Sequence, residues 1–489
     1  MIPFGPWRPD AEAINAPVCV VAQNCLPSVQ GFRPLKSPQV GQATRETGGT
    51  LNGRCVGAVN VIREDGSSKS YAGTATKLYQ LATDGAWDDA SRTVGGNYAV
   101  PTGDQWRFDV FGNNLIAVNI NDAPQRIDIV SGANFAALGG SPPQARYIAV
   151  VRDFVVLGSL FNNQRRIHWS SIGNSAEWTP GLNSGDIQDF PSGGPVRGLI
   201  GGETGYVFQD DKINRMIFVP GSDEVFQFDE VEGGRGLKAP GSLVKLGNQA
   251  FYFGGDGFYR FDLGAGSSTP IGAGKWRQWV LNDMRAGMEI EIRGSVDPIN
   301  TVIVWAYVSR QNATTTPDRV LLYDWTLDEA TVANISVEAL SQWLSQGVTL
   351  DTMNSFGSLD ELPYSLDSSF WKGGTPLLAL FGTDHKLAYL QGKVMAAEWI
   401  TADGQAEQRT KIKATRPHID ATDVTVAVTM RERDGDTWLW PNQEVMEDTG
   451  EVPAWASGNL ARARIRTPAG SNWTFAKGIK TILGAAGRR

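Results

Sequence analysis

The sequence predicts a mainly β protein: a six- or seven-bladed β-propeller joined to a smaller β-sandwich or barrel-like platform domain that the terminal segments form. Short apolar runs, separated by Gly, Asp and Asn, recur along the chain and indicate successive β-hairpins. A unit of three such runs occurs twice in close succession, in residues 196–219 and 243–262. Because no segment keeps the 3.6-residue apolar period over several turns, we expect few helices.

The spacing of the repeated unit indicates propeller blades. In the copy at 243–262, two apolar runs flank Gly254-Gly255-Asp256-Gly257, which is a typical hairpin turn. Comparable units begin at seven positions: Val56, Trp106, Tyr147, Val196, Leu243, Ile290 and Leu377. Successive starts lie 41 to 50 residues apart, except for a last interval of 87. A four-stranded blade needs roughly 40–50 residues, so all intervals but the last fit one blade each.

The chain divides into three parts on this pattern. Residues 1–50 are rich in Pro and Gly and predict an extended N-terminal arm that docks on other surfaces. Residues 51–392 form the predicted propeller, with an irregular insertion at 331–376 that either covers a strand edge or contacts a neighbouring subunit. Residues 393–489 alternate apolar and polar side chains and predict a C-terminal β domain.

Charge and cysteine content narrow the classes of function. The net charge of −8 argues against general affinity for nucleic acid, which depends on clustered Lys and Arg. Cys19 and Cys25 could pair with each other, but buried reduced thiols are favoured in a protein made in a cytoplasm. We find no signal-peptide pattern and no apolar run long enough to cross a bilayer, so we expect no membrane insertion.

The residues that carry enzyme chemistry are not grouped in recognisable patterns. His168, His385 and His418 fall in separate units, so we predict no metal site and no cofactor, and His168 is interpreted as an ordinary strand residue. The segment from Arg431 to Trp438 resembles the Asp-box turn of sialidases, but its spacing differs and indicates a hairpin turn. No nucleophile elbow or phosphate-binding loop is recognisable, and the prediction is that the protein is not an enzyme.

Several groups of residues, in the same order along the chain, resemble one family. At the N-terminus they are GPWRPD (5–10), AQNCLP (22–27) and GFRP (31–34). Further along they are RIHWSS (166–171) with EWTP (177–180), and GRGLKAP (234–240) with GDGFY (255–259), PIG (270–272) and KW (275–276). The last are LDELPYSLDS (359–368) and FWKGG (370–374). This order resembles the tail nozzle, or tail hub, proteins of short-tailed bacteriophages, also described as packaged-DNA stabilisation proteins.

The resemblance implies a structural protein of the virion tail, made in the host cytoplasm. It implies a homohexamer below the portal and adaptor rings that retains and conducts double-stranded genomic DNA without reading its sequence. Tail fibres or spikes, and a tail needle or plug, are the further partners that it implies. The alternative from another class is a propeller that binds glycans, or a virion-associated polysaccharide depolymerase.

Three arginines near the C-terminus are the candidate contact residues. Arg462, Arg464 and Arg466 occupy alternate positions, so in a strand their side chains share one face. The last 30 residues contain seven basic side chains and no acidic one. The face either contacts phosphates or an acidic partner at a channel wall, or is the ordinary solvated face of a strand.

Overall fold

The computed structural model describes residues 2–12, 14–41, 49–222, 224–344, 376–433 and 435–484 of the 489-residue chain. These residues contain 38 strands, one α-helix and two short 3-10 helices, which confirms a mainly β fold. The strands that precede the propeller are β1 (Ile2–Pro3), β2 (Cys19–Gln23), β3 (Cys25–Ser28), β4 (Gly31–Pro34) and β5 (Gln39–Val40).

Five blades follow one another along the chain, and each is a four-stranded antiparallel meander. The first two comprise β6 (Gly57–Ile62), β7 (Ser68–Gly73), β8 (Leu78–Leu81) and β9 (Trp87–Asp89), then β10 (Arg107–Phe111), β11 (Asn114–Val118), β12 (Gln125–Asp128) and β13 (Ala136–Ala137). The next two comprise β14 (Ala145–Val151), β15 (Phe154–Leu160), β16 (Arg166–Trp169) and β17 (Asp186–Asp189), then β18 (Val196–Ile200), β19 (Gly205–Gln209), β20 (Lys212–Phe218) and β21 (Phe226–Gly233). The fifth comprises β22 (Val244–Leu246), β23 (Gln249–Phe253), β24 (Phe258–Asp262) and β25 (Ser267–Pro270).

A further antiparallel unit follows the fifth blade but belongs to a larger sheet. The 3-10 helix Pro240–Ser242 lies before β22, and α1 (Arg277–Asp283) and the 3-10 helix Glu289–Glu291 follow β25. The unit itself is β26 (Arg293–Asp297), β27 (Val302–Tyr307), β28 (Arg319–Asp324) and β29 (Glu329–Ala333). Its outer strand β29 pairs in parallel with β2 and thereby joins the platform.

The sixth separate sheet of the propeller combines both ends of the chain. It contains β30 (Ala339–Leu344), β31 (Pro376–Phe381) and β32 (Leu387–Tyr389), and β5 from the N-terminal segment is its outermost strand. The first strands of neighbouring units contact one another, so they form the inner wall of the ring. The structure thus has six blades that are separate sheets. The unit β26–β29 contacts both β22 and β30 and closes the ring.

The predicted insertion at 331–376 is partly regular structure. Its first residues complete β29, and β30 also lies within it, so the last predicted unit starts at β30 and not at Leu377. The sequence does not predict β30, because the polar residues Ser341 and Gln342 interrupt its apolar run. Residues 345–375, including the groups at 359–368 and 370–374, lie outside the described residues.

The platform is built from both terminal segments, as the sequence predicted. Its strands are β33 (Ala397–Thr401), β34 (Gly404–Ile419), β35 (Thr425–Arg431), β36 (Glu444–Val445), β37 (Val452–Thr467) and β38 (Ala476–Gly484). The long strands β34 and β37 pair with each other, and β38 pairs with β34, β4 and β1. The N-terminal segment contributes β1 to β4 as strands of the platform sheet.

Trp399 lies at the centre of the platform core and is fully buried. Phe4 stacks on its ring at 5.9 Å, and Trp473 meets it edge-on at 5.3 Å between ring centroids. Phe32 contacts it from β4 at 6.3 Å. One indole thus joins β33, the N-terminal strands and the segment before β38, and aromatic contacts of this kind add free energy beyond area burial.

We predict that Trp399→Ala lowers the free energy of unfolding by about 3–5 kcal/mol, because it opens a large cavity among aromatic rings. Val94→Ala is the control, since Val94 is 83% exposed. Its effect should stay within about 0.5 kcal/mol. Denaturant unfolding followed by circular dichroism measures both, and equal losses in the two variants would contradict this account of the core.

Cys19, Cys25 and Cys55 are free and buried, which confirms the expectation of reduced thiols. Burial raises the pKa of Cys55 to about 12, and it raises the pKa of Cys19 and Cys25 as well. At pH 8 the reactive thiolate is therefore scarce in the folded protein.

We expect the thiols of the folded protein to react with Ellman's reagent at least about 100-fold more slowly than those of the unfolded chain. All three thiols should react once the chain is unfolded without reductant. Recovery of only one thiol would indicate a Cys19–Cys25 disulfide and contradict the structure.

Candidate functional site

The three candidate arginines lie on β37 and share one face, as the alternation predicted. Arg462, Arg464 and Arg466 pair in register with Thr429, Ala427 and Thr425 of β35. The intervening Ala463 and Ile465 are buried in the platform core. The strand therefore separates a basic face from an apolar face, and we call the former the arginine face, which also includes Arg431 of β35.

Two carboxylates pair with the arginine face. Asp403, which follows β33, accepts a 2.6 Å hydrogen bond from Nε of Arg462 and a 3.0 Å bond from Nη2 of Arg431. Glu398 of β33 lies 3.2 Å from Arg464 and 3.1 Å from Arg466. Asp403 retains only 4% exposure of its side chain, so it needs these cations to offset the loss of hydration.

Two indole rings cover part of the same face. Trp438 lies 4.3 Å from the guanidinium carbon of Arg431 and 4.6 Å from that of Arg462. Trp440 lies 4.1 Å from the guanidinium carbon of Arg464. These distances suit cation–π contacts, in which the planar guanidinium stacks on the ring. The backbone between the two rings is fixed because the Thr429 hydroxyl donates to the carbonyl of Leu439 at 2.7 Å.

The arrangement leaves the face partly engaged. Asp403 and Glu398 each contact two of its guanidinium groups. Burial lowers the pKa of Arg464, and its side chain is 23% exposed. Arg466, with 44% exposure, is the most accessible of the three candidates to a phosphate or an acidic partner. The contacts of Asp403, Glu398 and the two tryptophans with the arginines are not predicted from the sequence. The alternation Trp438-Leu439-Trp440 is the one signal in the sequence that places both rings on one face of a strand.

A cavity of about 630 Å³ lies at the N-terminal edge of the platform. Segments 3–7 and 27–32 form most of its wall, and His418 and Lys477 contribute polar groups. Among the described residues that line it, Glu329 supplies one carboxylate, which forms ion pairs with Arg8 and with Lys275, the latter at 3.5 Å.

The histidines lie apart, as predicted. His168 is a strand residue of β16, and its Nε2 lies 2.9 Å from the carbonyl oxygen of Trp178. His385 pairs with Glu338 at 2.8 Å, and His418 packs near Phe475. In the described part of the chain no three His, Cys, Asp or Glu side chains are grouped to hold a metal ion. Likewise, none of the described helices has the length and apolar character to span a bilayer.

We predict that Asp403→Ala lowers the free energy of unfolding by about 3–5 kcal/mol, because it leaves two arginines without their shared buried anion. Glu432→Ala is the control: Glu432 pairs with Arg409 at 3.2 Å, but the two side chains are 46% and 68% exposed. That change should stay within about 0.5 kcal/mol. Thermal and denaturant unfolding test both variants, and a small loss for Asp403→Ala would mean that the arginine face is solvated.

Comparisons with known proteins bear only on the fold. No protein-family model and no curated protein matches the chain. Similar solved structures include the Neurospora crassa Pan2 WD40 domain, which is 9% identical with a TM-score of 0.37, over 69% of this chain and 88% of that one. A computationally designed protein, Ika8, is 10% identical with a TM-score of 0.36, over 73% and 99%. The extracellular domain of a two-component system from B. thetaiotaomicron is 9% identical with a TM-score of 0.40, and this chain spans only 47% of its length.

Proposed function

We propose that the protein is a structural subunit of the tail of a short-tailed bacteriophage. In this proposal six copies form a nozzle below the portal and adaptor rings, which retains and conducts double-stranded DNA. The subunit also anchors tail fibres or spikes and a needle or plug, and it acts without covalent chemistry. The observation that carries the proposal is the placement of the N-terminal residues that resemble the tail nozzle family.

Those residues meet specific geometric requirements of the platform. Asp10 accepts hydrogen bonds from the backbone N–H groups of Gln278 and Trp279 at 2.7 and 2.9 Å, which holds the start of α1. Asn24 donates to the carbonyl of Ala396 at 2.8 Å and accepts from the N–H of Asn334 at 2.9 Å. Both polar atoms of its side-chain amide are therefore used to bridge the segments on either side of the last blade.

Gly31 of the same pattern is required by close backbone approach. Its φ is +89°, and a Cβ at this position would lie 2.0 Å from the carbonyl oxygen of Ala476. Only glycine fits there without moving β38. Asp10, Asn24 and Gly31, three of the residues that resemble the family, thus join the N-terminal segment to the rest of the fold, which supports a common platform architecture.

The arginine face is the proposed contact with DNA or with an acidic partner. Asp403 and Glu398 already pair with its arginines, and this suits a conduit because a genome in transit must not bind tightly. Arg466 is the residue that such a contact reaches first, since it is the most exposed of the three.

The proposal predicts that the 52.9 kDa chain assembles into a ring of six, alone or on the portal–adaptor complex of the same virus. Mass photometry gives the copy number, and negative-stain images give the ring. A chain that stays monomeric in both conditions would contradict the proposal. A monomer that binds or cleaves a polysaccharide would favour the alternative of a glycan-binding propeller or depolymerase.

A more specific prediction concerns Trp455, whose indole is 74% exposed in the platform. A tryptophan that is exposed in the single subunit is typical of a residue that becomes buried when a protein interface forms. We therefore assign Trp455 to the contact between copies. Trp455→Glu should weaken ring assembly by about tenfold or more, because it places a charge in that contact. Val94→Glu, which changes an 83% exposed propeller residue, is the control and should assemble normally. If the Trp455→Glu variant assembled normally, Trp455 would not be part of the contact between copies.

A further inference from the structure

A row of basic side chains lies on the outer face of strands β34 and β38. The row comprises Lys411, Lys413, Arg416 and His418 of β34, and Lys480 of β38. We call these five residues the basic ribbon. Lys411 is half-buried, and the other four are exposed. The ribbon is distinct from the arginine face, whose residues lie on β35 and β37.

The inner side of the same strands belongs to the platform core. Ile412 and Ile419 of β34 and Ile479 of β38 are buried there. Because successive residues of a strand point to opposite faces, the basic residues between them point outward. The register shifts after Ile412 relative to both β37 and β38, which marks a β-bulge at Lys413. The side chain of Lys413 lies across β38, since a Cβ at Gly484 would be 2.6 Å from its Cε.

Two cations of the ribbon lie directly opposite each other. Arg416 and Lys480 are cross-strand partners in the antiparallel pairing of β34 with β38. Like charges in such positions point to the same face and destabilise the sheet. Glu451 offsets part of this cost, because it pairs with Arg416 at 2.9 Å, although the two side chains are 37% and 53% exposed. The sheet thus carries an unfavourable pair that an external anion would relieve.

The lysines of the ribbon lack an internal counter-ion. Within the described residues no carboxylate pairs with Lys411, Lys413 or Lys480. Lys411 instead lies 5.3 Å from the ring of Trp455, which suits a cation–π contact and leaves its charge in place. The arginine face, by contrast, is already paired with two carboxylates. The ribbon is therefore the more available of the two basic surfaces.

The net charge of −8 does not cancel the field of the ribbon. At about 0.1 M salt the Debye length is about 10 Å, so the charges on distant parts of the chain are largely screened. The turn before β37 adds Glu447, Asp448 and Glu451 at one end of the ribbon, where Val452 pairs with Thr415. A polyanion is therefore attracted most strongly toward the other end, where β34 carries its two lysines.

The spacing of the cations favours a polymer with regularly placed charges. Two residues along a strand span about 7 Å and three span about 10 Å, so the cations follow β34 at short intervals. The backbone of B-DNA presents one phosphate per about 3.4 Å of axis on each strand. An extended row of cations can thus contact several phosphates of one backbone. A folded acidic protein does not present its carboxylates at a fixed repeat.

We propose that the basic ribbon binds the phosphate backbone of double-stranded DNA without reading its sequence. Lysine suits this role because its ammonium is a flexible point charge, and phosphate contacts carry no sequence information. The inference deepens the proposed function and rests on it for its setting, since it gives DNA a second contact surface on the platform. The few contacts make binding weak at physiological salt.

The test is fluorescence anisotropy of labelled DNA duplexes of two unrelated sequences, titrated with the full-length chain at about 50–200 mM salt. We expect equal binding of both sequences. The logarithm of the association constant should fall with the logarithm of the salt concentration with a slope of about −3 to −4, as four phosphate contacts give. Lys413→Gln and Lys480→Gln should each make the slope shallower by about one. The double variant should bind about tenfold or more weakly at about 50 mM salt.

The matched control is Lys77→Gln combined with Lys212→Gln, which changes the net charge by the same amount as the double variant. These lysines belong to two propeller blades and pair with Asp89 at 2.6 Å and with Glu230 at 2.5 Å. The control should bind DNA with the affinity and salt slope of the unaltered chain. An equal loss in the control would mean that net charge alone governs binding and would overturn the proposal. Tighter binding of poly-glutamate than of DNA would overturn it as well, in favour of an acidic protein partner.

Ring assembly and DNA binding are measured separately, so the two proposals can fail independently. A chain that forms a ring of six but does not bind the duplexes at about 50 mM salt would overturn the ribbon alone. A chain that binds them through the ribbon and stays monomeric on the portal–adaptor complex would contradict the proposed tail function and support the ribbon.

Discussion

Burial of Trp399 requires that the two ends of the chain meet. Phe4 and Phe32 come from the first strands and Trp473 from the last part of the chain, and all three pack on the same indole. Without the N-terminal strands β38 pairs only with β34, and without β38 the strand β1 loses its partner and β4 pairs only with β3. The propeller depends on this closure too, because β29 continues into the platform through β2. The fold is therefore one cooperative unit and not a propeller with a detachable base.

The fold class could be predicted because it rests on local signals. Hairpin turns such as Gly254–Gly257 and the regular spacing of apolar runs do not depend on distant contacts. Blade number stayed open at six or seven because the unit β26–β29 has the sequence of a blade but belongs to the platform sheet. The role of the N-terminal segment could not be predicted in detail, since pairing of β2 with β33 and β29 joins residues more than 300 positions apart.

The candidate sites show the same division between local and distant information. The shared face of Arg462, Arg464 and Arg466 follows from strand alternation alone. Their partners are Glu398 of β33 and Asp403, which follows β33. A single sequence does not show that β33 pairs with β37, or in which register. Arginines also lie within three residues of the predicted unit starts at Val56, Trp106, Tyr147, Val196 and Ile290. Only the ring brings these starts together.

The use of β5 to complete the sixth sheet has a consequence for synthesis of the protein. Gln39 and Val40 pair with Tyr389 and Ala388, so β5 must wait for a partner made almost 350 residues later. At elongation rates of about 5–20 residues/s this wait is roughly 20–70 s. Throughout that time the nascent chain carries an unclosed ring whose sheet edge can pair with another polypeptide. Until β31 and β32 are made, this exposed edge makes the incomplete chain more prone to aggregate than the finished fold.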